Sequence, residues 1–314
     1  MKRLLLLLSC IVMPATSYCQ ITISKTAHKA EEKTIVPYDS TKNYLGILNV
    51  ESYIGQLLYV KEKPETWRTL GYDHFFTKKD GVMYHSEDIY KKDGDSYHSR
   101  YEDLAGKYFF VLEVCRSQEN INKYVFHLQN RDNANDKCWY EYDPDHEWNF
   151  PFITISHFNW LKNKIGTKII IDYWTNDSKE VRMPIGEFDF HTGAKITFNP
   201  SDAWEIQDVT ILDEDFDLVY IISNGKGATS TIKIEVSNSR SITQKEYLNL
   251  CAKHGKQMVE TARQGKIKVG MHSELVIYAW GEPTHINRSS YGPDQWCYDG
   301  DYVYIERGFV EAWN

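Results

Sequence analysis

The sequence predicts a mainly β chain that closes on an α+β domain, and three observations predict it. Short runs rich in β-branched and aromatic residues, separated by Gly, Asn and Asp clusters, fill the chain as far as Thr243. Aromatic residues make up 14% of the chain, with Tyr alone at 22, while Leu and Ala are sparse. That mix suits a pleated, half-buried surface better than a helix. Beyond Thr243 the apolar spacing changes from two to three or four, the helical period.

Taken in order, the chain opens with Lys2 and Arg3, an almost wholly apolar run over 4–13, and a break at Pro14. Charge, short apolar core and small-residue exit form the pattern of a secretory signal peptide. Ten apolar residues reach about 15 Å as helix, half a bilayer core. Ser17 and Cys19 place the cut before Gln20, so 1–19 is expected to be removed. Tyr18 is too bulky for a lipobox ending at Cys19, and Cys10 comes too early, inside the apolar core. Export to the periplasm or the exterior is the expectation, with no membrane span. Residues 20–42 are polar and without period, and read as a flexible arm.

Strands are expected near 56–60, 108–114, 124–128, 168–173, 194–198, 209–212, 218–222 and 231–236. A weak echo links them. Tyr53-Ile54-Gly55-Gln56-Leu57-Leu58 is similar to Lys164-Ile165-Gly166-Thr167-Lys168-Ile169-Ile170, a glycine turn opening an apolar strand each time. A hairpin follows in both cases, ending over 124–130 and 218–224. We read two related β units, 43–157 and 158–240, each of small-barrel, SH3-like size.

From 244 to 264 the apolar positions Tyr247, Cys251, His254, Met258 and Ala262 step by three or four, which predicts one amphipathic helix stopped by Gly265. His254 falls at the edge of that stripe. A short helix near 273–280 ends at Gly281-Glu282-Pro283, and strands are expected over 295–298, 302–305 and 309–313. Two helices and an antiparallel meander make an α+β layer over 243–314. With Gly270-Met271, Val276, Gly281-Glu282-Pro283, Trp296-Cys297-Tyr298, Tyr302-Val303-Tyr304 and Gly308 in this order, the segment resembles the SmpA/OmlA (BamE-like) family and the β-lactamase-inhibitor-protein-like (BLIP-like) fold. The resemblance implies an adaptor domain that binds other envelope proteins. It implies no catalytic residue.

The formal charge of −8 becomes −10 when Lys2 and Arg3 leave with the leader. An acidic chain has no counter-field for phosphate backbones, which argues against nucleic acid. Four cysteines remain: Cys115, Cys138, Cys251 and Cys297. Local pairing would join Cys115 to Cys138 and Cys251 to Cys297; four free thiols are the alternative.

Chemistry is hard to find. Gly-x-Ser-x-Gly and His-Glu-x-x-His are both absent, and no cysteine sits where its thiolate would be favoured. His74, His85 and His98 read as solvated histidines. The run 132–136 lacks the central Gly and distal Glu of a calcium loop, so it reads as a hairpin turn. No cofactor and no metal ligand set are expected. What stands out is aromatic: Trp139, Tyr140, Tyr142 and Trp148, with Phe150 and Phe152, interleaved with acids. Alternation sends Trp139 and Glu141 to one sheet face and Tyr140 and Tyr142 to the other. With Trp296, Tyr298, Tyr302 and Tyr304 of the C-terminal strands, these are the candidate binding residues. The expected function is a non-enzymatic binding or adaptor protein whose partner is an envelope protein or a cell-wall glycan. The alternative is an envelope hydrolase acting through paired carboxylates.

Overall fold

The computed structural model describes residues 36–175, 180–213 and 215–314. The expected signal peptide and the arm up to residue 35 lie outside them. The rest of the arm lies against the first core, where the Tyr38 ring stands 5.3 Å from that of Tyr53. The described chain is mostly β, in four antiparallel sheets.

The first sheet contains β1 (Leu57–Val60), β2 (Phe75–Phe76), β3 (Tyr108–Arg116), β4 (Tyr124–Asn130), β5 (Lys137–Tyr142) and β6 (Phe152–Thr154), in the order β2-β5-β4-β3-β1-β6. One-turn helices α1 (Glu65–Arg68) and α2 (Tyr101–Leu104) interrupt the long β1–β3 connection, and a 3-10 turn, Glu147–Asn149, precedes β6. Alternation along β5 points Cys138, Tyr140 and Tyr142 into the core and leaves Trp139 and Glu141 outside. Tyr53, Phe126, Tyr142 and Phe150 pack there with ring centroids 5.0 to 5.7 Å apart, tilted, stacked or edge-on.

Helix α3 (Ile155–Lys162) leads into the second sheet. This contains β7 (Lys168–Ile171), β10 (Trp204–Ile211), β11 (Leu218–Ser223), β12 (Thr229–Lys233) and β13 (Ser241–Thr243), in the order β12-β11-β10-β7-β13. A two-stranded ribbon of β8 (Trp174–Thr175) and β9 (Val181–Arg182) lies in the β7–β10 connection, and α4 (Ile234–Arg240) precedes β13.

The two sheets follow one chain path, and their registers match residue for residue. Leu58 faces Phe109 on one side and Thr154 on the other; Ile169 faces Trp204 and Thr243. Gly55 and Gly166 both take left-handed φ, 82° and 84°. Each donates its N–H at 2.8 Å to the residue that opens a bulge, Val111 or Ile206. Those residues donate back at 3.0 Å to Gln56 and Thr167. Thr154 and Thr243 each stand at the N-cap of the helix that follows. Asn130 and Asn224 close the equivalent hairpin turns, their side chains accepting the N–H two residues on at 2.9 Å. Few side chains agree, so the repeat is carried by register, bulge and glycine.

The C-terminal layer packs α5 (Gln244–His254), α6 (Lys256–Arg263) and α7 (Ser273–Trp280) on a meander of β14 (His285–Asn287), β15 (Asp294–Cys297), β16 (Tyr302–Glu306) and β17 (Phe309–Trp313). Thr243 and Glu246 form a capping box: the Thr243 hydroxyl accepts the Glu246 N–H at 3.2 Å, and the Glu246 carboxylate accepts the Thr243 N–H at 2.9 Å.

Four expectations need correction. The helix expected over 244–264 is two helices, because Gly255 at φ 81° ends the first and starts the second. The apolar stripe runs on through the break because both helices cover one core. Residues 194–198 form no strand; only an isolated bridge joins Phe188 to Lys195. The strand expected over 231–236 stops at Lys233, where α4 begins. All four thiols are free. Cys115 lies on β3 opposite Val125, and Cys138 on β5 opposite Leu128, with β4 between them. Two strand spacings, about 9–10 Å, exceed the reach of a disulfide.

Candidate binding groove

Each repeat carries a groove at the same place, beside the end of its first strand. The Lys61 N–H donates to Pro151 at 2.8 Å, and the Asp172 N–H to Arg240 at 2.8 Å. These equivalent bonds tie the first strand to the helical turn before the last one. The groove opens next to that tie.

In the first repeat it is a cleft of about 310 Å³. Lys61, Lys63, Trp67 and Tyr72 come from the β1–β3 connection, Trp148 and Phe150 from the turn before β6, and Asp215 and Asp217 from the β10–β11 turn. Trp148 is 78% exposed and Trp67 58%. Most of its charges are engaged. Asp73 pairs with His98, and Lys233 holds both Asp215, at 3.1 Å, and Asp217. Lys63 donates to the Gly71 carbonyl and lies over the Tyr72 ring, and burial pulls its pKa down. The ammonium of Lys61 has no hydrogen-bond or ion-pair partner among the described residues.

Behind Trp148 lies a polar chain. Its ring meets His146 edge-on at 4.3 Å, His146 stands 3.0 Å from Asp143, and Lys123 reaches Asp143 at 3.7 Å and Glu141 at 2.7 Å. His74, which also lines the cleft, stands 3.2 Å from Glu141. Burial pushes the Glu141 carboxyl up, but His74 and Lys123 together hold it below its ordinary value.

The second repeat's groove, about 460 Å³, is lined on one side by Arg263, Gln264 and Gly265 at the end of α6. Arg263 of α6 enters it and is 1% exposed. Its Nη1 donates to both Glu260 oxygens at 2.9 Å, and its Nη2 donates to the carbonyls of Ile171 at 2.6 Å and Pro200 at 2.9 Å. The guanidinium lies over the rings of Tyr173 and Tyr247, at 5.1 and 5.4 Å. Tyr278 of α7 donates to Asp172 at 2.5 Å. Burial raises the Asp172 carboxyl to about 6 even though Arg263 Nε is 3.9 Å away. Burial outweighs the Tyr278 hydrogen bond and the Arg263 and Arg240 charges, and the nearby Glu260 carboxylate adds to the rise.

The sequence-derived candidates divide between core and surface. Tyr140 and Tyr142 are fully buried, with Phe150 and Phe152 beside them, so they hold the first core and cannot meet a ligand. Trp139 stacks on His127 at 4.3 Å on the outer face. Trp148 is the one that reaches the groove. Trp296 and Tyr298 pack toward the helices, whereas Tyr302 and Tyr304 face away, so these four form no common surface. Trp67, Lys61 and Arg263 escaped notice. Lys61 could have been found by aligning the echo, which sets it opposite Asp172.

His254, His272 and Glu274 converge in the C-terminal layer, their ligand atoms within 4.8 Å of one another. The His272 Nδ1 lone pair accepts the Glu274 N–H at 3.1 Å and so caps α7. The Glu274 carboxylate accepts from His254 at 2.8 Å and from Lys253. A metal ion would have to displace these bonds, so the trio reads as a clasp between α5 and α7. Among described carboxyls with a clearly displaced pKa, Asp172 alone is raised, and Tyr278 occupies its oxygen. No helix among the described residues is long and apolar enough to cross a membrane. Fold and groove together define a mostly β chain with a cleft flanked by two exposed tryptophans. Comparison with family models, with curated proteins and with solved structures gives no match.

Proposed function

We propose that this chain is a non-enzymatic binding protein of the bacterial cell envelope, exported by its leader. In this reading the open cleft between Trp67 and Trp148 seats a segment of a partner protein. The path of each repeat, strand, long connection, three-stranded meander, helical turn, strand, is that of an SH3-like unit. The C-terminal layer is an adaptor domain of the BamE/BLIP-like kind. One observation carries the reading: two exposed tryptophans, Trp67 and Trp148, flank the first repeat's cleft, whereas the corresponding groove of the second repeat takes in Arg263 from the chain's own α6. Exposed tryptophans over a polar floor suit such a contact.

Photo-crosslinking tests it. A photoreactive residue at position 148 of the full mature chain, in envelope extract, is expected to capture a protein band that Trp67→Ala removes. Release of sugar ends from purified peptidoglycan by the same chain would overturn the reading in favour of a hydrolase.

A further inference from the structure

The first repeat's groove does not end at Lys61. Lys61, Phe216 and Asp217 also line a second cavity of about 260 Å³, walled by Asn43 and Tyr44 of the first repeat and by Ile234 and Asn238 of α4. Two cavities that share three residues form one trough, which runs from the tryptophans across to the second repeat. At the shared point Phe216 is held at φ 56° between Asp215 and Asp217. A bulky residue seldom takes that conformation, and such strain gathers where ligands are met. A single side chain would fill one cavity, whereas an extended chain passes through both.

The charge along the trough has a sign. Six carboxylates, Glu62, Asp73, Glu147, Asp215, Asp217 and Glu235, line it with three lysines, Lys42, Lys61 and Lys63. Lys233, which holds Asp215 and Asp217 from outside the lining, makes a fourth, and the balance remains acidic. Asp73 faces only a histidine, His98. Glu62, Glu147 and Glu235 are exposed and have no ion-pair partner among the described residues. Lys63 and Arg68 lie over the Tyr72 and Tyr101 rings, but among the described residues no cation lies over Trp67 or Trp148. Indole is the strongest side-chain ring for holding one. We infer that the segment seated here is extended and basic, with a Lys or Arg side chain over the groove tryptophans and further basic residues toward Glu235. This rests on the proposal that the groove binds a protein segment.

The test is a random 12-residue peptide display library selected on the full mature chain, with counter-selection on Trp148→Ala. Peptides enriched for Lys and Arg are expected. In a synthetic representative, exchanging the basic residues for Gln should weaken binding about tenfold, and added salt should weaken it too. Glu62→Gln and Glu235→Gln, one in each cavity, should each weaken that peptide about threefold with an unchanged melting temperature. Enrichment of neutral or acidic peptides, or basic enrichment indifferent to both glutamates, would overturn the basic assignment while leaving the groove. A loss with only one of the two variants would confine the segment to one cavity and overturn its extended path. No enrichment that depends on Trp148 would overturn the groove reading itself, and this inference with it.

Discussion

In the first repeat the groove beside β1 lies between two exposed tryptophans, Trp67 and Trp148; in the second the corresponding groove takes in Arg263 of α6, and Tyr278 of α7 bonds its Asp172. The backbone does not explain the difference, since both repeats keep the glycine turn, the bulge and the strand-to-turn tie. Side chains at a few matched positions explain it. Tyr173 supplies a face for Arg263 where the first repeat has Glu62, and Asp172 supplies a carboxylate where it has Lys61. The same frame thus carries a joint to the C-terminal layer in one copy and a tryptophan-flanked groove in the other.

The joint is the sharper end of that contrast. Arg263→Ala would leave Glu260 without its cation and the Ile171 and Pro200 carbonyls without this donor, and is expected to cost about 3–5 kcal/mol, as breaking a buried ion pair does. Arg263→Lys should recover little, because one ammonium cannot reproduce the forked set of bonds. Chemical denaturation of the full chain measures both. A midpoint unchanged in Arg263→Ala would mean that Arg263 does not hold α6 against the second repeat.

Asp172 gives an intermediate effect with a defined sign. Its folded pKa of about 6 lies above its ordinary 3.8, so between those values the folded state binds more protons than the unfolded one. The contribution of this carboxyl to stability is fully present below about pH 4 and is lost as pH rises through 6. Asp172→Asn should therefore flatten the pH dependence, gaining about 1–3 kcal/mol relative to the parent between pH 5 and pH 8. Thermal melts across that range decide it, and parallel curves for the two proteins would refute the assignment.

The open groove should show the smallest stability effect. Trp148→Ala removes an exposed ring and is expected to shift stability by less than about 0.5 kcal/mol. The same substitution should abolish capture of the partner when the photoreactive residue is placed at position 67 instead. A large loss of stability instead would make Trp148 a core residue like Tyr142.

Much of the frame was legible in the sequence because it depends on local signals. The Gly55 and Gly166 turns, the strand alternation that buries Tyr140 and Tyr142, and α7 with its Gly281 stop are read from neighbours along the chain. Arg263 was not legible, since its partners Ile171 and Pro200 are far away in sequence and its position on a helix end looks like ordinary solvent. The Gly255 break was hidden for a different reason: a glycine neither adds to nor interrupts an apolar stripe. Cysteine pairing failed because strands successive in apolar character need not be adjacent in the sheet; β4 separates Cys115 from Cys138. Of the candidate site, Trp148 alone could be picked out, and its groove became visible only when the two repeats were aligned.

Helix α3 belongs to both repeats. Its Ser156 hydroxyl donates to Gln56 at 2.6 Å and His157 Nδ1 meets the Ser40 carbonyl at 2.9 Å, both in the first repeat. Leu161, fully buried, joins the core of the second, with Phe158 and Trp160 against it. Neither repeat can melt without losing part of the other's packing. Unfolding of the pair should therefore be cooperative, with amide exchange in β1 and β7 governed by one common opening event rather than two.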